Sequence, residues 1–238
     1  MSMKTLALSL VAASGALLML EASAADFCAT PGERTQVADA LRKGAKMLPL
    51  LGAPAVKMTE GKFMSAMGDD HRVGVQPSQF PAVWDLMRTW KDPQVTIRKE
   101  ESVFLVRGPL APGGMSVLGT PWFNLDLNTV HLTGHLRPDK VSAIFAAKVD
   151  GEGGDKVGIV FFYGQDGTEI FSVTANADNL AKPGKIPQMK AEDVPAFRAR
   201  QKDPNAHEHE EAEHHPIPKE FEATFEQMKK MPRVCAAT

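Results

Sequence analysis

Several things are scarce in this chain, and each scarcity closes a class of explanation. Positive charge is not in excess: 27 Lys and Arg stand against 29 Asp and Glu, a net charge of -2, and the basic residues are spread along the sequence. Nucleic acid is therefore not an expected partner, because neutralising phosphates takes a clear cationic surplus. No apolar run reaches the ~20 residues that cross a bilayer. Gly-x-Ser-x-Gly, a phosphate-binding loop, a dinucleotide fingerprint and His-Glu-x-x-His are all missing, so the common marks of hydrolases, nucleotide binders and zinc proteases are absent and no enzyme is expected. Cysteine is limited to Cys28 and Cys235.

What is present begins with an address. Lys4 precedes an apolar stretch from Leu6 to Leu20, and Ala22-Ser23-Ala24 follows as a small-x-small site. This pattern predicts an export signal over residues 1–24, cut after Ala24, and hence a periplasmic location. Phe27 before Cys28 is too large for a lipoprotein cleavage site. In an oxidising compartment the two cysteines are expected to bond and clamp the ends of the chain together, and closing so long a loop stabilises the fold in the chain-entropy picture.

The 238 residues, 43% of them hydrophobic, allow one domain with a real core plus extensions. Helices are predicted over Pro31 to Met47, Ser78 to Trp90, Ala191 to Gln201 and Lys219 to Lys230, each from apolar residues recurring at three and four. Short strands are predicted at Ala55 to Thr59, Lys62 to Met67 and Arg72 to Gln76. From Gln94 the period falls to two. A hairpin is read at Val95 to Lys99 with Ser102 to Arg107, then a Pro- and Gly-rich loop from Gly108 to Gly119, then strands at Pro121 to Leu125, Thr129 to Leu136 and Val141 to Val149. Lys156 to Tyr163 and Thr168 to Ala175 form the clearest hairpin, turned at Asp166-Gly167. The fold class is α+β: a curved antiparallel sheet with flanking helices. Asp69-Asp70-His71 reads as a turn.

The chemistry concentrates in Thr129 to Arg137. Alternation puts Val130, Leu132 and Leu136 on the buried face and His131, Thr133, His135 and Arg137 on the other. The two histidines are four residues apart, about 13 Å along a strand. That is too far for both to grip one small ion, and close to the width of a flat macrocycle. Haem asks for an imidazole lone pair, apolar walls and cations for its propionates. His135 supplies the first and Arg137 the last, with Trp122, Phe123, Phe145, Phe161 and Phe162 as apolar surface nearby in sequence. Covalent c-type attachment is excluded, since Cys-x-x-Cys-His is absent.

Trp84-Asp85-Leu86, Val103 to Leu110, Trp122-Phe123-Asn124-Leu125, Leu132 to Asp139 around Gly134-His135-Leu136, and Val160-Phe161-Phe162 with Gly167 and Phe171 occur in the order seen in the HemS, ChuX and HutX haem-utilisation family. The stretch from Trp84 to Phe197 resembles that family. The resemblance implies a curved-sheet α+β domain that carries or sequesters haem, often as a dimer, with His135 as the histidine of the Gly-His motif. Two motifs depart: Gly119-Thr120-Pro121 stands where members have Gly-His-Gly, and Ala175-Asn176-Ala177-Asp178 where they have Gly-Arg-Asp. A second iron ligand is then sought first at His131, with Met115 and the histidine-rich segment as the other candidates. On this reading a homodimer and a membrane haem-transporter component are candidate partners.

The remaining motif is the run from His207 to Pro216. His207, His209, His214 and His215 alternate with Glu208, Glu210, Glu211 and Glu213, a composition that suits a divalent ion such as Zn, Cu or Ni and gains positive charge near pH 6. It also suits a solvated linker between two docking helices. The expected organisation is a signal at 1–24, a haem-binding domain at 25–202, a His/Glu-rich linker at 203–216 and a docking helix with tail at 217–238. The alternatives to a haem carrier are a periplasmic divalent-metal protein using the four histidines and a ligand-free structural module of the same fold.

Overall fold

The computed structural model describes residues 27–99, 102–126, 132–151, 155–176, 195 and 216–235. They form five helices and two antiparallel sheets: α1 (Pro31–Arg42), α2 (Pro49–Gly52), α3 (Glu60–Ala66), β1 (Arg72–Val75), α4 (Phe80–Met87), β2 (Gln94–Lys99), β3 (Ser102–Arg107), β4 (Gly113–Met115), β5 (Phe123–Leu125), β6 (Gly134–Leu136), β7 (Ala143–Asp150), β8 (Lys156–Tyr163), β9 (Glu169–Thr174) and α5 (Lys219–Met228). The larger sheet has six strands in the order β1-β7-β8-β9-β2-β3, and the smaller has three in the order β4-β5-β6.

The large sheet is covered on both faces, which is why β7 and β8 are almost unbroken runs of buried residues. On one face Phe145, Phe161 and Tyr163 pack with Phe27, ahead of α1, and with Val37, Phe63 and Met64 from the N-terminal helices. On the other, Ile144, Val160, Phe162, Phe171 and Val173 pack with Phe80, Trp84, Phe221 and Phe225 from α4 and α5. Alternation along each strand sends neighbouring residues to opposite layers.

Helix α4 joins the two sheets. Phe80 lies 5.3 Å from both Phe162 of the large sheet and Phe123 of the small one, ring centre to ring centre. The buried Trp84 indole donates to the Ala111 carbonyl at 2.9 Å, just ahead of β4. Helix α5 docks through Phe221, Phe225 and Met228 as its spacing predicts, and Trp90 donates to the Thr224 hydroxyl beneath it at 2.9 Å. Gly158 makes this docking possible, because a Cβ there would lie 2.5 Å from the Phe221 ring. After α5 the tail pairs Arg233 with Val75 and delivers Cys235 to Cys28, which are bonded across a separation of 207 residues.

Three local expectations are corrected. Ala55 to Thr59 is no strand; Ala53–Val56 is a 3-10 turn followed by left-handed Lys57. Lys62 to Ala66 belongs to α3, which Met67 ends and Thr59 starts, its hydroxyl accepting from the Lys62 amide. Short apolar runs carry no period long enough to separate strand from helix. The Gly108 to Gly119 loop contains strand β4, which the paired glycines concealed and β5 recruits. The Gly164 to Thr168 turn follows expectation, with Gly167 at φ 78°.

Arg72, read only as the start of a strand, is wholly buried. It donates from Nε to the Met67 carbonyl at 3.1 Å and from Nη2 to the Ser65 carbonyl at 2.9 Å, closing the end of α3. Burial pulls its pKa down to about 10, with Asp69 opposing. Asp69-Asp70-His71 is indeed a turn. The helix expected at Ala191 to Gln201 lies outside the described residues except for Pro195.

Candidate functional site

The small sheet turns one face to the core and one outward. Phe123, Leu125 and Leu136 go inward, the first two buried and the third packed against the core. Register places His135 opposite Asn124, and Asn124 opposite Gly114. This row must point outward, since successive residues of a strand alternate. Trp122 and Arg137, two residues further along the flanking chain on either side, share that face.

The four side chains touch one another. Asn124 Oδ1 is 2.7 Å from His135 Nδ1. The His135 and Trp122 rings meet edge to face at 6.0 Å, and the Arg137 guanidinium lies 4.8 Å over the Trp122 ring. Asp139 holds Arg137 by a fork, Nε to Oδ1 at 2.7 Å and Nη2 to Oδ2 at 2.6 Å. The pair shifts both groups: Arg137 rises above its ordinary value and Asp139 is held below the usual carboxylate range, each because of the other. A guanidinium has five N–H groups, so two that serve Asp139 leave three for another carboxylate.

The expected face assignment therefore holds for Leu132, Leu136, His135 and Arg137. Met115 does not join them: its register row is Phe123 and Leu136, on the opposite side of the ribbon from His135. His131 lies outside the described residues, as do His207, His209, His214 and His215. Among the described residues no group of three or more His, Cys, Asp or Glu could hold a metal ion, and no helix is long and apolar enough to cross a membrane. Residue reading missed Asn124 and Asp139 as members of the site. Asn124 was legible in principle, because a polar residue between Phe123 and Leu125 on a strand has to point away from them.

The departures from the family motifs acquire structure. Asn176, within the replaced Gly-Arg-Asp, accepts from the Gly158 amide and donates to the Lys156 carbonyl, both at 3.1 Å, and so ties the end of β9 to β8. A separate cavity of about 280 Å³ lies between α1 and the α3–β1 turn, lined by Val37, Leu41, Met67 and His71. It belongs to the helical layer across the large sheet from His135.

The fold and this patch define an α+β protein with an imidazole and a guanidinium on the outer face of a small antiparallel sheet. Residues 73–190 match the model of the family described as haem utilisation ChuX/HutX, and the chain belongs to that family. It is similar in fold to a solved structure of ChuX, at 12% identity and a TM-score of 0.56, over 82% of this chain and 98% of that one. A second structure, described as the heme binding protein ChuX, gives 16% identity and a TM-score of 0.50 over 69% and 95%. A protein from Agrobacterium tumefaciens gives 18% identity and 0.52 over 83% and 90%. No curated protein sequence matches significantly.

Proposed function

We propose that this protein is an exported haem-binding or haem-carrier protein of a haem and iron utilisation system, and that it binds its ligand on the outer face of the small sheet rather than turning it over. One observation carries the reading: in a member of the haem-utilisation family, His135 stands exposed on that face with Nδ1 engaged by Asn124, which leaves Nε2 for iron.

The donor set suits haem. His135 supplies an imidazole nitrogen, the half-exposed Trp122 ring an apolar contact, and Arg137 the N–H groups that Asp139 leaves free for a propionate. Gly114 completes the row without a side chain, and a Cβ built there would meet nothing within 4 Å, so the face stays open on the far side of Asn124 from the imidazole. His131 remains the first choice for a second iron ligand. The predicted signal at residues 1–24 and the terminal disulfide agree with an oxidising, periplasmic setting. Edge strand β3, with Val103, Phe104 and Leu105 each more than half exposed, is where a second copy would pair. Delivery to a membrane haem transporter belongs to the same proposal.

Titration with hemin tests it. A Soret band that saturates at one hemin per chain is expected, and His135→Ala should weaken or reshape it. A chain that leaves the hemin spectrum unchanged refutes the proposal; binding that His135→Ala does not alter refutes the residue assignment.

A further inference from the structure

Asn124 sits in the middle of β5, paired with Gly114 on one side and His135 on the other. Phe123 and Leu125 are buried on the core side, so the carboxamide is left with one direction, outward beside the imidazole. A carbonyl oxygen only accepts. In a neutral imidazole the 2.7 Å contact of Asn124 Oδ1 with His135 Nδ1 is a hydrogen bond in the tautomer that carries its proton on Nδ1, and Nε2 then holds the lone pair. Trp122 holds the ring from a second side.

We propose that Asn124 is a positioning residue: it selects the His135 tautomer whose Nε2 can bind iron, and it fixes the ring before any ligand arrives. The inference rests on the haem reading above and adds a cause for the imidazole's readiness. A hydrogen-bond acceptor behind a ligating imidazole orients the ring and raises its basicity, and losing such a partner typically costs roughly 10- to 100-fold in metal affinity.

The purified full-length chain tests this without ligand first. Long-range nitrogen–proton NMR of the histidine side chains, recorded above the imidazole titration, is expected to show His135 protonated at Nδ1. In Asn124→Leu the ring should move toward the Nε2-protonated form, and Asn124→Asp should restore Nδ1 protonation. Hemin titration of the same three proteins should show Asn124→Leu binding roughly 10- to 100-fold more weakly, with Asn124→Asp recovering most of the loss. A His135 tautomer unmoved by Asn124→Leu, or hemin affinity equal in all three proteins, overturns the proposal. Failure of the unmutated chain to bind hemin overturns the haem reading, which separates the two.

Discussion

Reducing the bond between Cys28 and Cys235 should lower stability without dismantling the native fold. Cross-linking residues 207 apart removes chain entropy from the unfolded ensemble, and the loop-length relation gives about 5 kcal/mol at 25 °C. The folded side loses little. The tail is held independently, because Gln76 donates to the Pro232 carbonyl at 3.0 Å, Val234 to the Gly74 carbonyl at 3.2 Å and the Arg233 Nε to the same carbonyl at 3.0 Å. Cys235 and Val234 also stay packed in the cluster around Phe27 and Phe145. With a urea slope of about 2.5 kcal/mol per molar, the loss becomes a fall of about 2 M in the unfolding midpoint. Urea titrations followed by far-UV circular dichroism, with and without a phosphine reductant, measure it. Cys28→Ser with Cys235→Ser should reproduce the reduced midpoint and ignore the reductant. A midpoint that reduction leaves in place would refute the reasoning, since it would mean that the unfolded chain gains no freedom when its ends are released.

Three further outcomes are expected. Glu169 is 7% exposed with one carboxylate oxygen unpartnered, and its pKa is raised, by burial first, against the Ser172 hydroxyl and Arg98. A raised folded pKa contributes stability below the unfolded value, near 4.5, that is lost as pH rises through the folded value. Glu169→Gln should therefore raise the urea midpoint at neutral pH and leave it nearly unchanged in acid; an equal effect at both would refute the linkage. Gly158→Ala would push a methyl into the buried Phe221 ring and should cost about 1–3 kcal/mol by overpacking, read as a lower melting temperature, whereas a neutral effect would show that α5 shifts freely. Asp139→Asn should loosen the Arg137 fork and tighten hemin binding, because a carboxylate no longer offsets the guanidinium charge that faces a propionate; unchanged binding would remove Arg137 as a propionate partner.

Hairpins β2–β3 and β8–β9 and the docking stripe of α5 were legible because each is decided locally, by a period of two or of three to four and by a turn such as Asp166-Gly167. The outward direction of His135 and Arg137 was legible for the same reason: alternation along a strand is a property of the backbone. The family was legible in the order of its motifs from Trp84 to Phe171. The helix at Glu60–Ala66 was not, since a short apolar run satisfies either period until a cap such as Thr59 and a packing face choose one. Strand β4 was hidden because glycines carry no pattern, and only hydrogen bonding to β5 makes them a strand.

The sequence by itself determined the alternation that places an imidazole and a guanidinium on one face, and the pair of cysteines available to close the chain. Only the tertiary structure decided what those groups meet. Asn124 reaches His135 across a strand pairing eleven residues apart, and Met115 falls on the other side of the ribbon through its register with Phe123. Register and layer are set by the core that Phe80, Phe123 and Phe162 fill together, and no single segment of the chain contains that contact.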